Sequence, residues 1–269
     1  MMVDVAFPCL NEEATIGELL LATEAWRARS GIRRTIVLDS NSTDRTSEVA
    51  RLHGAEVVHA HLIATEAGPV LGKGDAVWRL AKALVDDPPD VLVLLDGDIR
   101  LEDPEMLDNL LLPFDQPEVH LVKAEFIRQP GLAMASPLPG GRVSDLVARP
   151  LLRTVDSKLA TLSQPLSGQA AYRFTSLTRI PTCTHYGLEI GHLLEIWQRH
   201  GRISITEGSI GELSHREKTD ASLVEVASDV AEAFLSSVHG FSAFRRLEVR
   251  PPVADLVTVR EVTIESQPR

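Results

Sequence analysis

The sequence predicts an α/β fold built on a mostly parallel sheet. In the first hundred residues, short apolar segments suited to buried strands alternate with helical patterns. Several of these apolar segments stop at loops rich in Asp, Asn, Ser and Thr. Repeated strand–helix units form right-handed crossovers in a parallel sheet. Ligands of such sheets bind beyond the carboxyl ends of the strands, so the loops at those ends are the expected site.

Four strands are predicted in the first half of the chain, over segments 3–8, 34–40, 55–60 and 91–95. Asn11 is a candidate helix cap, with Glu12 and Glu13 at the positive end of the helix that follows. The polar cluster 41–44 precedes a second predicted helix. An amphipathic helix over 72–85 starts at a lysine between two glycines.

The second half of the chain is less regular. Segments 119–127 and 202–208 are predicted strands, and 142–155, 188–201 and 221–240 are predicted helices. Pro150 is expected to interrupt or restart the first of these helices. Segment 129–141 is rich in Pro and Gly, which predicts a mobile loop. From about residue 250 we expect an edge strand or a dimer arm.

Composition narrows the function classes. The chain has 269 residues, enough for one large domain or a domain with a subdomain. A formal net charge of −11 argues against broad binding to nucleic-acid phosphates. No apolar run has the length of a membrane helix, and the start lacks a secretory pattern, so we expect no membrane partner. The two cysteines, Cys9 and Cys183, are too few for a disulfide framework, which favours a cytoplasmic location.

Two aspartates follow the fourth predicted strand. Residues two apart in an extended chain face the same side, so Asp96 and Asp98 can face one site. Gly97 lets the backbone bend between them. Carboxylate oxygens suit Mg²⁺ or Mn²⁺, ions that commonly hold phosphates. For so short a motif, an ordinary structural loop remains the alternative.

Two further patterns suit anions. Lys73 can meet a diphosphate as a point charge, although its surroundings lack the spacing of a Walker loop. Gly141, Arg142 and Ser144 combine open backbone amides, a guanidinium and a hydroxyl at a predicted helix start, which suits a phosphate or carboxylate. A solvated lysine and a plain helix start are the respective alternatives.

These motifs together resemble a known family. FPCLNEEATI, IVLDSNSTDRT, GKGDAVWR and LLDGDI look like the nucleotide-binding half of the glycosyltransferase-A fold. HLVKAEFIR, GGRVSDLVARPLL, QPLSGQAAYR, HYGLEIGHLLE and SHRE are similar to the retaining glucosyl-3-phosphoglycerate synthase family and its mannosyl relatives. The resemblance spans about residues 3–216. It implies a homodimeric, Mg²⁺- or Mn²⁺-dependent transferase that moves a hexose from a nucleotide sugar, UDP-glucose, to 3-phosphoglycerate or a similar small anionic acceptor.

The resemblance also assigns roles to individual residues. The implied donor-binding residues are Pro8, Cys9, Leu10, Glu12, Ser40, Lys73, Asp96, Gly97, Tyr186 and Glu189. The implied acceptor-binding residues are Gly141, Arg142, Val143 and Ser144, and the implied metal ligands are Asp98 and His215. The implied catalytic residues are Asp96, Asp98, Arg142 and Glu189. On this basis we divide the chain into a nucleotide-sugar-binding part (1–115), an acceptor-binding part of the same domain (116–240) and a C-terminal arm (241–269).

Several alternatives stay open. Glu217 stands where the family commonly has Asn, and Gln169 where it often has Glu, so a different small anionic or hydroxylated acceptor is compatible with the sequence. An inverting transferase would need Glu189 or Asp145 as its base. A nucleotidyltransferase usually opens with a glycine-rich, arginine-containing loop, which this chain lacks. A catalytically inactive nucleotide-binding subunit is the non-enzymatic alternative.

Overall fold

The computed structural model of the chain describes residues 1–101, 104–128, 141–214, 220–239 and 247–256. Eight of its strands form one sheet and two short strands form a second. The strands are β1 (Val3–Cys9), β2 (Ile32–Asp39), β3 (Glu56–His59), β4 (Val91–Leu94), β5 (Arg100–Leu101), β6 (Leu121–Arg128), β7 (Ala170–Arg173), β8 (Thr182–Cys183), β9 (Ile205–Ser214) and β10 (Val249–Arg250). The α-helices are α1 (Ile16–Ser30), α2 (Thr46–Leu52), α3 (Gly72–Ala83), α4 (Arg149–Val155), α5 (Phe174–Leu177), α6 (Leu188–His200) and α7 (Asp220–His239).

The large sheet has the strand order β3-β2-β1-β4-β7-β6-β9-β5. Its first four strands run parallel, β7 is antiparallel to both of its neighbours, and β6 and β9 are again parallel. The predicted α/β class is therefore confirmed. Since β1, β2 and β4 are parallel neighbours, their carboxyl ends at Cys9, Asp39 and Leu94 lie along one edge of the sheet.

The sheet separates two hydrophobic cores. Ala6 and Leu94 belong to the core that also holds α3 and α6, whereas Phe7 and Val93 belong to the core that holds α1. This alternation is the two-residue period of a strand buried on both faces. Within the described ranges, no helix is both long and apolar enough to cross a membrane.

The predicted capping role of Asn11 is wrong. Helix α1 begins at Ile16 with Thr15 as its N-cap residue. Asn11 has a left-handed φ of 59°, a conformation that Asn tolerates better than most residues. Its side-chain oxygen accepts a hydrogen bond from the backbone N–H of Thr43 at 2.8 Å. Asn11 therefore joins the loop after β1 to the loop after β2.

Two other predictions from the second half are refined. A π-helical turn over Ser144–Ala148 gives way to α4, which has Pro150 in its first turn, so the proline does mark a change in the helix. Strand β9 begins at Ile205 and not at residue 202, because a 3-10 turn over Arg202–Ser204 precedes it. Residues 129–140 of the loop predicted at 129–141 lie outside the described residues.

The stretch near residue 250 packs onto its own chain. Strand β10 pairs with β8 and not with the edge of the large sheet. The indole N–H of Trp78 donates to the carbonyl oxygen of Pro251 at 2.8 Å, which ties this segment to α3. Residues 241–246 and 257–269 of the predicted arm lie outside the described residues, and the three-part division of the chain stays a prediction.

Candidate active site

The loop after β1 touches the loops after β2 and β4. The backbone N–H of Ser40 donates to the carbonyl oxygen of Cys9 at 2.9 Å, and the hydroxyl of Thr15 donates to the carbonyl oxygen of Gly97 at 2.9 Å. A Cβ atom at Gly97 would lie 2.4 Å from the Cys9 sulfur, so only glycine fits at this position. The loops at the carboxyl ends of these parallel strands therefore lie together, as the strand directions predict.

Cys9 lies among the acidic side chains of this edge. Burial is the main cause that raises the pKa of its thiol, and the charges of Glu12, Asp39, Asp96 and Asp98 raise it further. The charges of four carboxylates, from three segments of the chain, therefore all act on the buried sulfur of Cys9. A concentration of negative charge at the strand ends favours a cation.

Five of the predicted donor-binding residues share this edge. Pro8 and Cys9 end β1, Leu10 is exposed, and Ser40 directly follows β2. Glu12 is almost buried, and one of its carboxylate oxygens accepts a hydrogen bond from the hydroxyl of Thr15 at 3.1 Å. The five residues lie together at this edge, and their contacts with the nucleotide sugar stay predictions.

Lys73 is held by two carboxylates. Its ammonium donates to Oδ1 of Asp96 at 2.6 Å and to Oε1 of Glu189 at 2.8 Å. Burial alone would lower the pKa of Lys73, but the charges and hydrogen bonds of the two acids outweigh burial and raise it. Lys73 lies in the first turn of α3, so it is not a solvated lysine in a loose loop.

The loop before α6 brings Glu189 to this lysine. The backbone N–H of His185 donates to the carbonyl oxygen of Leu71 at 2.9 Å, just before α3. The backbone N–H of Tyr186 donates to Asp229 on α7 at 3.3 Å. Glu189 lies in the first turn of α6 and is 8% exposed, whereas Tyr186 is 37% exposed. Both predicted residues therefore lie beside the Lys73 end of α3.

A close contact at Gly168 was not expected from the sequence. A Cβ atom there would lie 2.3 Å from Oδ2 of Asp96 and 2.5 Å from the Lys73 nitrogen. The neighbouring Gln169 accepts a hydrogen bond from the backbone N–H of Asp96 at 3.3 Å. Gly168 lies two residues before β7, and a glycine in or near a strand often marks close backbone approach.

The predicted acceptor residues form one helix start. Gly141 has a left-handed φ of 82°, and its carbonyl oxygen accepts from the backbone N–H of Asp145 at 2.9 Å. Arg142 is exposed, Val143 is half-buried and Ser144 is buried. The four residues are consecutive, and their binding of an acceptor stays a prediction.

Asp98 is the predicted metal ligand that the structure describes, while His215 lies outside the described residues. Among the described residues, no group of three or more His, Cys, Asp or Glu side chains is arranged to hold an ion. Asp98 is partly exposed in the loop after β4, and its carboxylate joins those of Asp96 and Glu12 around Cys9. Hard oxygen donors with open access fit Mg²⁺ or Mn²⁺, ions that keep positions for water and phosphate.

Comparisons with known proteins identify the family of the chain. The model of the family "Glycosyl transferase family 2" matches residues 4–134. The chain is 33% identical over 243 residues to a glucosyl-3-phosphoglycerate synthase of Petrotoga mobilis, covering 89% of this chain and 74% of that protein.

Solved structures extend the likeness to nearly the whole chain. Mannosyl-3-phosphoglycerate synthase from Rubrobacter xylanophilus has a TM-score of 0.84 and 26% identity, covering 95% of this chain and 89% of that one. Glucosyl-3-phosphoglycerate synthase from Mycobacterium tuberculosis, in complex with Mn²⁺, UDP-glucose and phosphoglyceric acid, has a TM-score of 0.80 and 30% identity, covering 95% and 91%. Fold and site together define a glycosyltransferase with the GT-A architecture. The chain belongs to the glucosyl-3-phosphoglycerate synthase family.

Proposed function

We propose that this enzyme transfers glucose from UDP-glucose to 3-phosphoglycerate, with retention at the anomeric carbon and with Mn²⁺ or Mg²⁺ bound. The observation that carries the proposal is the Lys73–Asp96–Glu189 cluster at the strand ends, in a chain of this family. The mycobacterial relative, solved with UDP-glucose, Mn²⁺ and phosphoglyceric acid, supports the choice of substrates and ion.

The donor side of the site uses the ends of three parallel strands. The loop after β1, with Ser40 after β2, would take the uracil and ribose, and Lys73 would meet the diphosphate as a cation. Asp98 and His215 would hold the divalent ion, which supplies Lewis-acid stabilisation to the departing diphosphate. Asp96 and Glu189 would bind sugar hydroxyls, since carboxylates are strong acceptors.

Retention follows from a front-face route. The bond between the anomeric carbon and the diphosphate oxygen breaks, and the acceptor hydroxyl forms the new bond on the same face. The hydroxyl proton goes to the departing phosphate oxygen, so no enzymic base is needed. Gly141, Arg142, Val143 and Ser144 would hold the acceptor anion, because a guanidinium and a helix start both favour phosphate or carboxylate.

The described contacts favour this route over an inverting one. Glu189, a candidate base for inversion, is engaged by the ammonium of Lys73. Asp145, the other candidate, is hydrogen-bonded by the guanidinium of Arg149 in the next helical turn. Both candidate carboxylates are therefore already engaged by cations of the protein. We also propose that the enzyme is a homodimer and that it is cytoplasmic. Light scattering would test the homodimer by measuring the mass of the particle in solution.

The test is a transfer assay with purified protein. UDP-glucose and GDP-mannose are offered as donors, with 3-phosphoglycerate, 2-phosphoglycerate and glycerate as acceptors, with Mn²⁺ or with a chelator. Mass spectrometry should show glucosyl-3-phosphoglycerate from UDP-glucose in the presence of Mn²⁺, and the anomeric proton coupling should show the α configuration of the donor. A β product would exclude retention, and turnover with another acceptor only would exclude phosphoglycerate.

A further inference from the structure

Lys123 is a cation buried inside the large sheet. It lies in β6 and is 1% exposed. Burial lowers its pKa to about 8, although the negative charges of Glu189 and Asp96 favour the protonated form. A buried ammonium is unfavourable unless hydrogen bonds satisfy it. The proposed transfer reaction gives this residue no role.

The ammonium of Lys123 donates a hydrogen bond to the carbonyl oxygen of Ser167. The next residue of β6 holds the same segment, because the backbone N–H of Ala124 donates to the carbonyl oxygen of Gln169 at 3.0 Å. The hydroxyl of Ser167 donates to that carbonyl oxygen at 3.0 Å and accepts from the N–H of Gln169 at 3.1 Å. Segment 167–169 is thus fixed to β6 at two successive positions.

The other side of segment 167–169 meets the active site. Gly168 leaves no room for a side chain between itself and the Asp96 carboxylate. The side chain of Gln169 accepts the backbone N–H of Asp96. A continuous set of contacts therefore runs from Lys123 through this segment to Asp96 and on to Lys73.

We propose that Lys123 is a positioning residue for sugar transfer: it holds the Ser167 carbonyl and so keeps Gly168 and Gln169 against Asp96. Its charge also offsets the two carboxylates that Lys73 bridges. This inference rests on the proposed function, since it concerns the same site. Lys123 acts through segment 167–169 and needs no contact with the substrates.

The test compares Lys123→Met, which is one atom shorter and has neither charge nor donor, with Val122→Ala. Val122 is also fully buried in β6 but belongs to the opposite core. Val122→Ala therefore measures the effect of a cavity in β6 by itself. We expect Lys123→Met to lower kcat by roughly tenfold or more, as the loss of outer supporting contacts does at other sites, with little change in acceptor KM. Val122→Ala should keep its kcat. A folded Lys123→Met enzyme with wild-type kcat, or equal losses of kcat in both variants, would overturn the proposal.

A double-mutant cycle adds a readout that overall stability does not move. Lys123→Met and Gln169→Leu should be non-additive in kcat, because both release the same segment from Asp96. Additive losses would contradict the shared path. If Lys123→Met does not fold, Lys123→Gln replaces it, and this shorter uncharged donor should also lower kcat.

A crystal structure of Lys123→Met tests the positioning role separately from the proposed function. Segment 167–169 should move away from Asp96 in Lys123→Met, whatever the substrate. If wild-type protein transfers no sugar, the proposed function fails while the structure still tests the positioning role. If the wild type is active and the segment stays in place, the inference about Lys123 fails alone.

Discussion

The ammonium of Lys73 donates a hydrogen bond to the carboxylate of Glu189 at 2.8 Å, joining α3 to α6 across 116 residues of sequence. The same ammonium also holds Asp96 at the end of β4. One cation therefore fixes the relative positions of two acids that come from separate parts of the chain. In the proposed reaction, both acids bind the sugar while Lys73 meets the diphosphate.

Replacing Lys73 by Met should lower kcat/KM by about 100-fold or more, because a positioned cation is lost where charge develops on the leaving group. Steady-state kinetics with varied UDP-glucose would measure this. Lys82→Met is the matched control, since Lys82 lies on the same helix and pairs with the exposed Glu66. The assignment fails if both variants keep wild-type activity.

Introducing a methyl group at Gly168 should lower the activity of the enzyme without unfolding it. In Gly168→Ala the new Cβ would meet the carboxylate of Asp96 and the ammonium of Lys73, both of which would have to move. We expect a loss of kcat of roughly tenfold or more from this misplacement. Gly191→Ala is the control, because its Cβ would lie 3.2 Å from the Cys183 sulfur in the interior of α6. Full activity of Gly168→Ala would contradict the prediction that kcat depends on the positions of Asp96 and Lys73.

Arg142→Ala should raise the KM for the acceptor by roughly tenfold or more, because one charge-assisted contact with an anion is lost. The KM for UDP-glucose should change little. Arg153→Ala is a suitable control, since Arg153 belongs to α4 in the same helical segment. Equal increases in both KM values would remove the loop at Gly141–Ser144 from the acceptor site.

The stability of the protein should fall as the solution becomes acidic. Burial, and then the charge of Lys123, lower the pKa of His192 to about 3 in the folded protein. Between this value and the ordinary histidine pKa of about 6.5, the unfolded chain binds the extra proton, so the free energy of unfolding decreases as pH falls through this window. The slope from this one group is at most about 1.4 kcal/mol per pH unit.

Urea unfolding between pH 7 and pH 5 would measure this dependence. His192→Gln should show a shallower slope than the wild type, because glutamine does not titrate. His61→Gln serves as the control, as His61 is exposed. Identical slopes for His192→Gln and the wild type would show that His192 does not contribute.

Much of the site could be predicted because it follows from strand direction. The ends of β1, β2 and β4 share an edge in any parallel arrangement, so Asp96, Asp98 and Ser40 could be placed from sequence. Lys73 and Glu189 could be brought together only through the family resemblance, since no local pattern links positions 116 residues apart.

The other features of the fold and the site depend on tertiary contacts, which a local sequence pattern does not predict. Asn11 has the composition of a helix cap, but its partner is Thr43 in another loop. Strand β7 runs antiparallel between β4 and β6, so Gly168 and Gln169 enter the site from the opposite direction. Lys123 is a charged residue in an apolar strand, and its role becomes visible only when Ser167 is placed beside it.

The most direct test of the central claim is a titration of Mn²⁺ in the presence of UDP, followed by electron paramagnetic resonance. Asp98→Ala is compared with the wild type and with Asp86→Ala, which alters an exposed aspartate after α3. We predict that Asp98→Ala weakens Mn²⁺ binding by about tenfold or more, while Asp86→Ala binds like the wild type. Wild-type Mn²⁺ affinity in Asp98→Ala would contradict a metal-bound diphosphate at the strand ends.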